Sequence, residues 1–401
     1  MANNGRPAKW RGLLEDDEVR RWYDQLSLGS LSTAEERIRV LGRVCETIRL
    51  GPKELADLAR DSNGGRRKVE DLLMDLAAKM HRARKSPGYI ANIVKVVKSW
   101  LLHNEVALVR KIRVGDATAT PTIESERIPT KAELHAALSV ADERGKTVLA
   151  LAAFSALRPE VIGNKNGTDG LIVRDLPDLE IRKGRVRFRH IPAMVRVRKS
   201  LSKTKKPFFT FLPGQGCRYL ADYLERRLAS GEVLGPDSPI IRVGPTMERR
   251  GRTASAPHYG SPFLTTPAVT KTIRKFLWTQ VRLRPYVLRS YAITNLETAE
   301  RNGKITLSDR KFVCGRTDDI DRRYSTGKMQ LPEDVVEAIR REYQEASPYL
   351  VTETPTPSGL VSPELDEMRV LEEIGEDRLV ELAMIIKRLR EARTSTKKVA
   401  V

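Results

Sequence analysis

The sequence predicts a mainly α chain with a small antiparallel β-sheet, arranged as an all-helical domain followed by a larger α+β domain. Three observations carry this reading. Apolar residues recur at helical spacing behind capping signals through residues 15–110. Strand-like alternation appears in LEIRKGRVRF (179–188) and MVRVRKSLSKTKKPFFTFL (194–212). Between the two regions, residues 111–129 lack periodicity and are rich in Thr, Pro, Gly and Ala, the mark of a linker.

Composition narrows the function class. The chain has 401 residues, 40% of them hydrophobic, which is enough for more than one core. No apolar run approaches the roughly 18 residues that span a bilayer. The opening MANNGRPAKWRG has no apolar signal-peptide core, so a soluble, cytoplasmic protein is expected. Cys45, Cys217 and Cys314 match no zinc-ligand spacing and the five histidines are scattered, so neither a disulfide framework nor a structural metal is expected. The formal charge of +20 points to nucleic acid as partner, the more so because the charge is clustered.

In chain order, residues 1–14 carry Arg6, Lys9 and Arg11 without an acid; they read either as an arm along a phosphate backbone or as a terminus with incidental charge. Residues 15–110 read as a helical domain. Thr33 and Glu36 form a T-x-x-E box ahead of Ile38, Leu41, Val44, Cys45 and Ile48. GPKELADLAR and KVEDLLMDLAAKMHRARK give two more helices, separated by the breaker SNGG at 62–65. Ser86 and Pro87 then cap YIANIVKVVKSWLLHNEV.

The second domain, 130–350, opens on another T-x-x-E box, Thr130 with Glu133. The apolar run 148–157 reads as a buried helix that delivers Arg158. A guanidinium at such a place needs a partner, either a neighbouring carboxylate or a phosphate oxygen brought by substrate. From Ile181 to Lys206 there are eleven lysines and arginines and no acid. One-signed charge on a small sheet serves solubility poorly, and a DNA-facing ribbon accounts for it better. Its candidate DNA contacts are Arg185, Arg187, Arg189, Arg196, Arg198, Lys199, Lys205 and Lys206, with Lys203 near a turn where a lysine could reach a leaving oxygen. The helix GCRYLADYLERRLASGE (216–232) follows. Thr266 to Arg289 carries six basic residues and no acid, adding Lys271 and Arg274 to the candidates.

The chain is organised around Arg284 to Tyr324. Tyr286 and Arg289 stand at i, i+3 on an amphipathic helix, and Tyr324 follows Arg289 by 35 positions on a polar, basic segment. A guanidinium fixed on a helix with a nearby phenol suits attack of a phenolate on a phosphodiester held by arginine; the alternative is an ordinary tyrosine in a basic helix. LPEDVVEAIRREYQEA gives one more helix. Residues 351–401 read as a linker and an acidic amphipathic tail, net −5 over residues 351–392, suited to packing on its own domain or a neighbouring subunit.

ALRPEVIGN, SLSKTKKPFFTFL, RPYVLRSYAITNL and GRTDDIDRRYSTGKMQLPEDVVEAIRREY, in that order, resemble the tyrosine recombinase (phage integrase) family, most closely the archaeal integrases of viruses, plasmids and integrated elements. The resemblance covers about 130–350, while 15–110 matches only the general pattern of the family's helical core-binding, DNA-clamping domain. It implies a tyrosine-recombinase catalytic domain that cuts and rejoins double-stranded DNA at attachment sites through a 3′-phosphotyrosine. It implies no cofactor or metal and a homo-tetramer assembled on DNA. Tyr324 matches the nucleophile, Arg158 and Arg289 the phosphate-clamping arginines, and Lys203 the general acid, with Lys205 as fallback. Two positions depart from the pattern: Tyr286 replaces the usual histidine of His-x-x-Arg, and Arg316 stands where Gly-His is usual. An arginine there can donate to phosphate but gives up a proton poorly, so a DNA-binding derivative without efficient cleavage stays open. A type IB topoisomerase shares the chemistry without the helical domain.

Overall fold

In the computed structural model, described over residues 10–116, 126–244, 262–316 and 331–353, the amphipathic segments up to Arg127 build one compact unit and the described residues from Ile128 onward another. The first unit opens with a short 3₁₀ turn, Arg11–Glu15, and continues as helices α1 (Asp17–Gly29), α2 (Leu31–Ile48), α3 (Pro52–Arg60), α4 (Gly65–Arg82) and α5 (Pro87–His103). The apolar stripes read from the sequence form its core: Ile38, Leu41, Val44, Leu73, Ile93 and Val97 are all buried. Trp22 meets Trp100 edge-on at 5.6 Å, and the Trp100 indole N–H donates to the Pro52 carbonyl at 2.9 Å.

Local signals set most helix starts, with two differences. Ser86 Oγ accepts from the Tyr89 N–H at the head of α5, as its position predicts. The Thr33–Glu36 box does not start α2. Ser30, extended at φ −166°, turns the chain one residue after α1, and its hydroxyl accepts from the Thr33 N–H, so the helix begins at Leu31. The SNGG stretch breaks the chain only as far as Gly64; Gly65 is already the first residue of α4. A Cβ there would stand 1.8 Å from the Leu58 carbonyl oxygen, so only glycine lets α4 cross α3 so closely.

Packing on this unit also runs past residue 110. Buried Glu70 accepts from the N–H groups of Val109 (2.7 Å) and Arg110 (2.9 Å), and Ile112 is buried in the core. The arm up to residue 9, linker residues 117–125 and the tail beyond residue 353 lie outside the described residues. Among the described residues, no helix is long and apolar enough to cross a membrane.

The second unit is arranged around α7 (Glu143–Ala153), against which α6 (Lys131–Ser139), α9 (Gly214–Ala229), α10 (Thr266–Leu277) and α11 (Val287–Arg301) pack. α6 begins at the expected reciprocal box: the Thr130 N–H donates to Glu133 and the Glu133 N–H to Thr130 Oγ1. From Val148 to Ala153 α7 is apolar on every side and buried, as a helix surrounded by helices must be, while Glu143, Arg144 and Lys146 keep its first turns polar. It ends at Ala153 rather than 157, because Ala156 takes a left-handed backbone (φ 52°) that turns the chain toward Arg158 and the short helix α8 (Pro159–Ile162).

Instead of one small sheet there are two separate antiparallel pairs, β1 (Leu179–Arg182) with β2 (Arg185–Phe188), and β3 (Ala193–Val197) with β4 (Phe208–Leu212). Lys183 and Gly184, both at positive φ, form the two-residue turn that the K-G pair predicts. Asp178, which precedes β1, accepts from the Met194 N–H of β3 at 2.7 Å and pairs with buried Arg340 at 2.9 Å. Arg340 stacks over Phe211 and belongs to α13 (Glu333–Leu350), which packs along α11. A last short helix, α12 (Leu307–Val313), packs on β4.

Candidate functional site

Three chain segments meet at Arg289. It lies in the first turn of α11, three residues after Tyr286, and only 2% of it is exposed. Its guanidinium donates from Nη1 to the Ala156 carbonyl, at the turn behind α7, and from Nη2 to the Cys314 carbonyl, at the end of α12, at 2.5 Å. Two backbone acceptors orient the planar group but leave its charge uncompensated. Burial first, and then the charge of Arg158, push its pKa down to about 10, with Arg316 acting in the same sense and Tyr286 and Cys314 against it. It remains a cation at neutral pH.

Arg316 is delivered by the way α12 stops. The Gly315 N–H donates to Phe312 O (2.8 Å) and the Arg316 N–H to Lys311 O (3.0 Å), the crossed pair of a Schellman ending, with Gly315 left-handed at φ 56°. A Cβ on Gly315 would stand 2.6 Å from the Phe208 ring, and Phe312 packs edge-on against Phe209 at 4.7 Å. β4 therefore holds the turn that aims both the Cys314 carbonyl and Arg316. Arg316 itself is exposed.

Arg158 is half-buried, held extended just ahead of Pro159. The buried Cys314 thiol lies amid the same charges. Burial pushes its pKa up while the charges of Arg289, Arg316, Arg310 and Arg158 pull the other way. Among the described residues, no carboxylate pairs with Arg158, Arg289 or Arg316. Of the two partners the sequence left open for Arg158, the described part of the fold supplies no carboxylate. Tyr286 stands 49% exposed beside the buried Arg289.

The remaining candidates divide. Lys203, Lys199, Lys205 and Lys206 are exposed in the loop between β3 and β4, and Arg196 is exposed on β3. Lys271 and Arg274 are exposed on α10. Arg198 is engaged within its own unit: it pairs with Asp169 at 2.7 Å and with buried Asp175 at 3.0 Å, and donates to the Gly170 carbonyl. Arg185 pairs with Glu225 at 3.2 Å, Arg189 donates to the Pro177 carbonyl, and Arg187 lies opposite Glu180 in the β1–β2 register. Acids from outside the one-signed stretch thus face much of the first hairpin. The exposed candidates of the β3–β4 loop and α10 lie clear of these acids, although Lys275 of α10 meets Asp142 at 3.8 Å. Tyr324 falls in 317–330, outside the described residues.

Sequence reasoning missed the Ala156 and Cys314 carbonyls and the seat that Phe208 makes for Gly315. Only the last left a signal, a glycine directly behind a helix. Chemically, the assembly is a cluster of guanidinium forks, one of them buried and immobilised, suited to the oxygens of a phosphate.

No protein-family model and no curated protein matches this chain. Among solved structures it is similar to the XerA recombinase, at 14% identity over 80% of this chain and 96% of that one, with a TM-score of 0.33. It is similar to the integrase from mycobacterium phage Brujita at 14% identity, over 85% and 94%, with a TM-score of 0.32. The Tn1549 transposon integrase in complex with circular intermediate DNA matches at 14% identity, over 80% and 98%, with a TM-score of 0.41.

Proposed function

We propose that this chain is a site-specific DNA strand-exchange enzyme of the tyrosine recombinase type, acting as a tetramer on two DNA sites to integrate or excise a mobile element. The observation that carries this reading is the trio Arg158, Arg289 and Arg316, drawn together without a carboxylate among the described residues, with Arg289 buried and tied to two carbonyls. Gathering like charges costs free energy unless an anion joins them, and a phosphodiester supplies that anion.

In the reaction, the Tyr324 oxygen bonds to phosphorus as the P–O5′ bond breaks, leaving a 3′-phosphotyrosine. The tyrosine proton passes to solvent, and Lys203 protonates the departing 5′-oxygen. The guanidinium forks hold the non-bridging oxygens as charge builds on them. The Tyr286 hydroxyl adds a donor at the exposed edge. Religation is the reverse step with a different 5′-hydroxyl, so the bond energy is conserved in the protein–DNA linkage.

A second reading, a DNA-binding derivative that no longer cleaves, is favoured by Arg316 alone, since a guanidinium holds its proton. The two are separated with a nicked suicide DNA substrate from the element's junction, run on a denaturing gel. The recombinase predicts a covalent protein–DNA band that disappears in Tyr324→Phe while DNA binding persists. Binding without such a band, in wild type and in Arg316→His alike, would establish the derivative instead.

A further inference from the structure

α10 buries Val269, Ile273, Phe276 and Leu277 and presents Lys271, Arg274, Lys275 and Trp278 to solvent at i, i+3, i+4 and i+7, one continuous outer stripe. A tryptophan at the end of a basic stripe, 49% exposed, is an unusual use of the largest apolar side chain. It is also ordered. Its indole N–H donates to the Leu283 carbonyl at 2.8 Å, and the Arg274 guanidinium lies over its ring at 5.1 Å. The chain from Trp278 then leads within eight residues to Tyr286, and no acid occurs between Thr266 and Arg289.

We infer that Trp278 and Arg274 form an aromatic–guanidinium platform on which an unpaired nucleobase of the bound DNA stacks. This rests on the DNA-binding reading above and adds a contact to a base rather than to phosphate. A positive surface that tracks a backbone, interrupted by an immobilised π face, is the combination that binds single-stranded nucleic acid. A hydrogen-bonded indole loses little conformational freedom on stacking, and the guanidinium beside it offers a second planar surface. Strand exchange requires bases next to the cut to leave their partners, which provides the unpaired base.

The test uses the full chain and fluorescence. Trp22 and Trp100 are buried in the other unit and Trp10 is half-buried, so Trp278 is the exposed indole among the four tryptophans. A labelled single-stranded oligonucleotide and a fully paired duplex are titrated by anisotropy and by tryptophan quenching into wild type, Trp278→Leu, Trp278→Phe and Lys271→Ala. Stacking predicts quenching by the single strand and about tenfold weaker single-strand binding in Trp278→Leu. It also predicts near-wild-type binding in Trp278→Phe and less than about twofold change for the duplex in both Trp278 variants. Lys271→Ala, by contrast, should weaken both DNA forms and flatten their salt dependence. Equal single-strand affinity in wild type and Trp278→Leu, or no quenching, with duplex binding intact, would overturn the platform and leave the DNA reading standing. Absence of binding to either form would remove the reading itself. Thermal transitions of the variants serve as the control that each is folded, the expected outcome for changes at exposed side chains.

Discussion

Arg289 shows how one side chain can be both a structural tie and a candidate catalytic group. Its two carbonyl bonds span three chain segments, and only a planar fork serves both acceptors while still presenting N–H groups to a ligand. Arg289→Lys keeps the charge and loses the fork. Cleavage of the suicide substrate in single turnover should fall about 10²–10³-fold, the range for losing a preorganised transition-state donor, while DNA affinity changes less than tenfold. Leaving a buried carbonyl unpaired should also lower stability by about 1–3 kcal/mol, read from denaturant unfolding. Cleavage by the lysine variant at the wild-type rate would remove Arg289 from the chemistry.

At the scale of elements, the end of α12 is the part most exposed to single changes. Gly315 combines a left-handed backbone with a contact that admits no Cβ, so Gly315→Ala should destabilise the protein by about 1–3 kcal/mol. Adding Phe208→Ala should recover part of that loss, because the ring is what the new methyl meets; an additive double mutant would disprove the clash. The other end of α12 is pH-sensitive. The Thr306 N–H donates to Glu342 of α13 at 2.8 Å, and the Asp309 N–H to Thr306 Oγ1 at 3.2 Å. Burial first, and then the neighbouring Glu342, push the Asp309 carboxyl up to about 6.

A carboxyl with a raised folded pKa holds a proton that the unfolded chain has lost. Its favourable contribution is therefore complete below about pH 4 and disappears as pH rises through about 6. Asp309→Asn removes this dependence. The stability of the variant relative to wild type, followed by thermal unfolding, should rise between pH 4 and 7 by on the order of 1 kcal/mol once the half-exposed setting is discounted. A constant difference across that range would show that Asp309 does not hold the extra proton.

Over the whole molecule, the charge of +20 is distributed unevenly. Part of the basic stretch at 181–206 faces acids of its own unit, while exposed cations lie on the β3–β4 loop, on α10 and on helices of the first unit, among them Arg66, Arg67, Lys68, Lys95 and Lys98. If six to ten phosphates are contacted, duplex affinity should fall about 10³–10⁵-fold between 50 and 200 mM salt. A drop of less than about tenfold would mean that these cations do not track a DNA backbone.

The amino-acid sequence by itself determined the helical class, the Thr130 and Ser86 caps and the Lys183–Gly184 turn. Each of these depends on residues within a turn or two along the chain. It could not determine where α7 ends or where α2 begins, because the left-handed Ala156 and the extended Ser30 override the local periodicity. Tertiary structure alone decided which carbonyls orient Arg289, that no described carboxylate neutralises the trio, and that Arg198 and Arg185 meet acids of their own unit. The reason is distance along the chain. A guanidinium's partner is set by segments that meet only after folding, 133 residues apart for Ala156 and Arg289, and no local pattern encodes such a meeting.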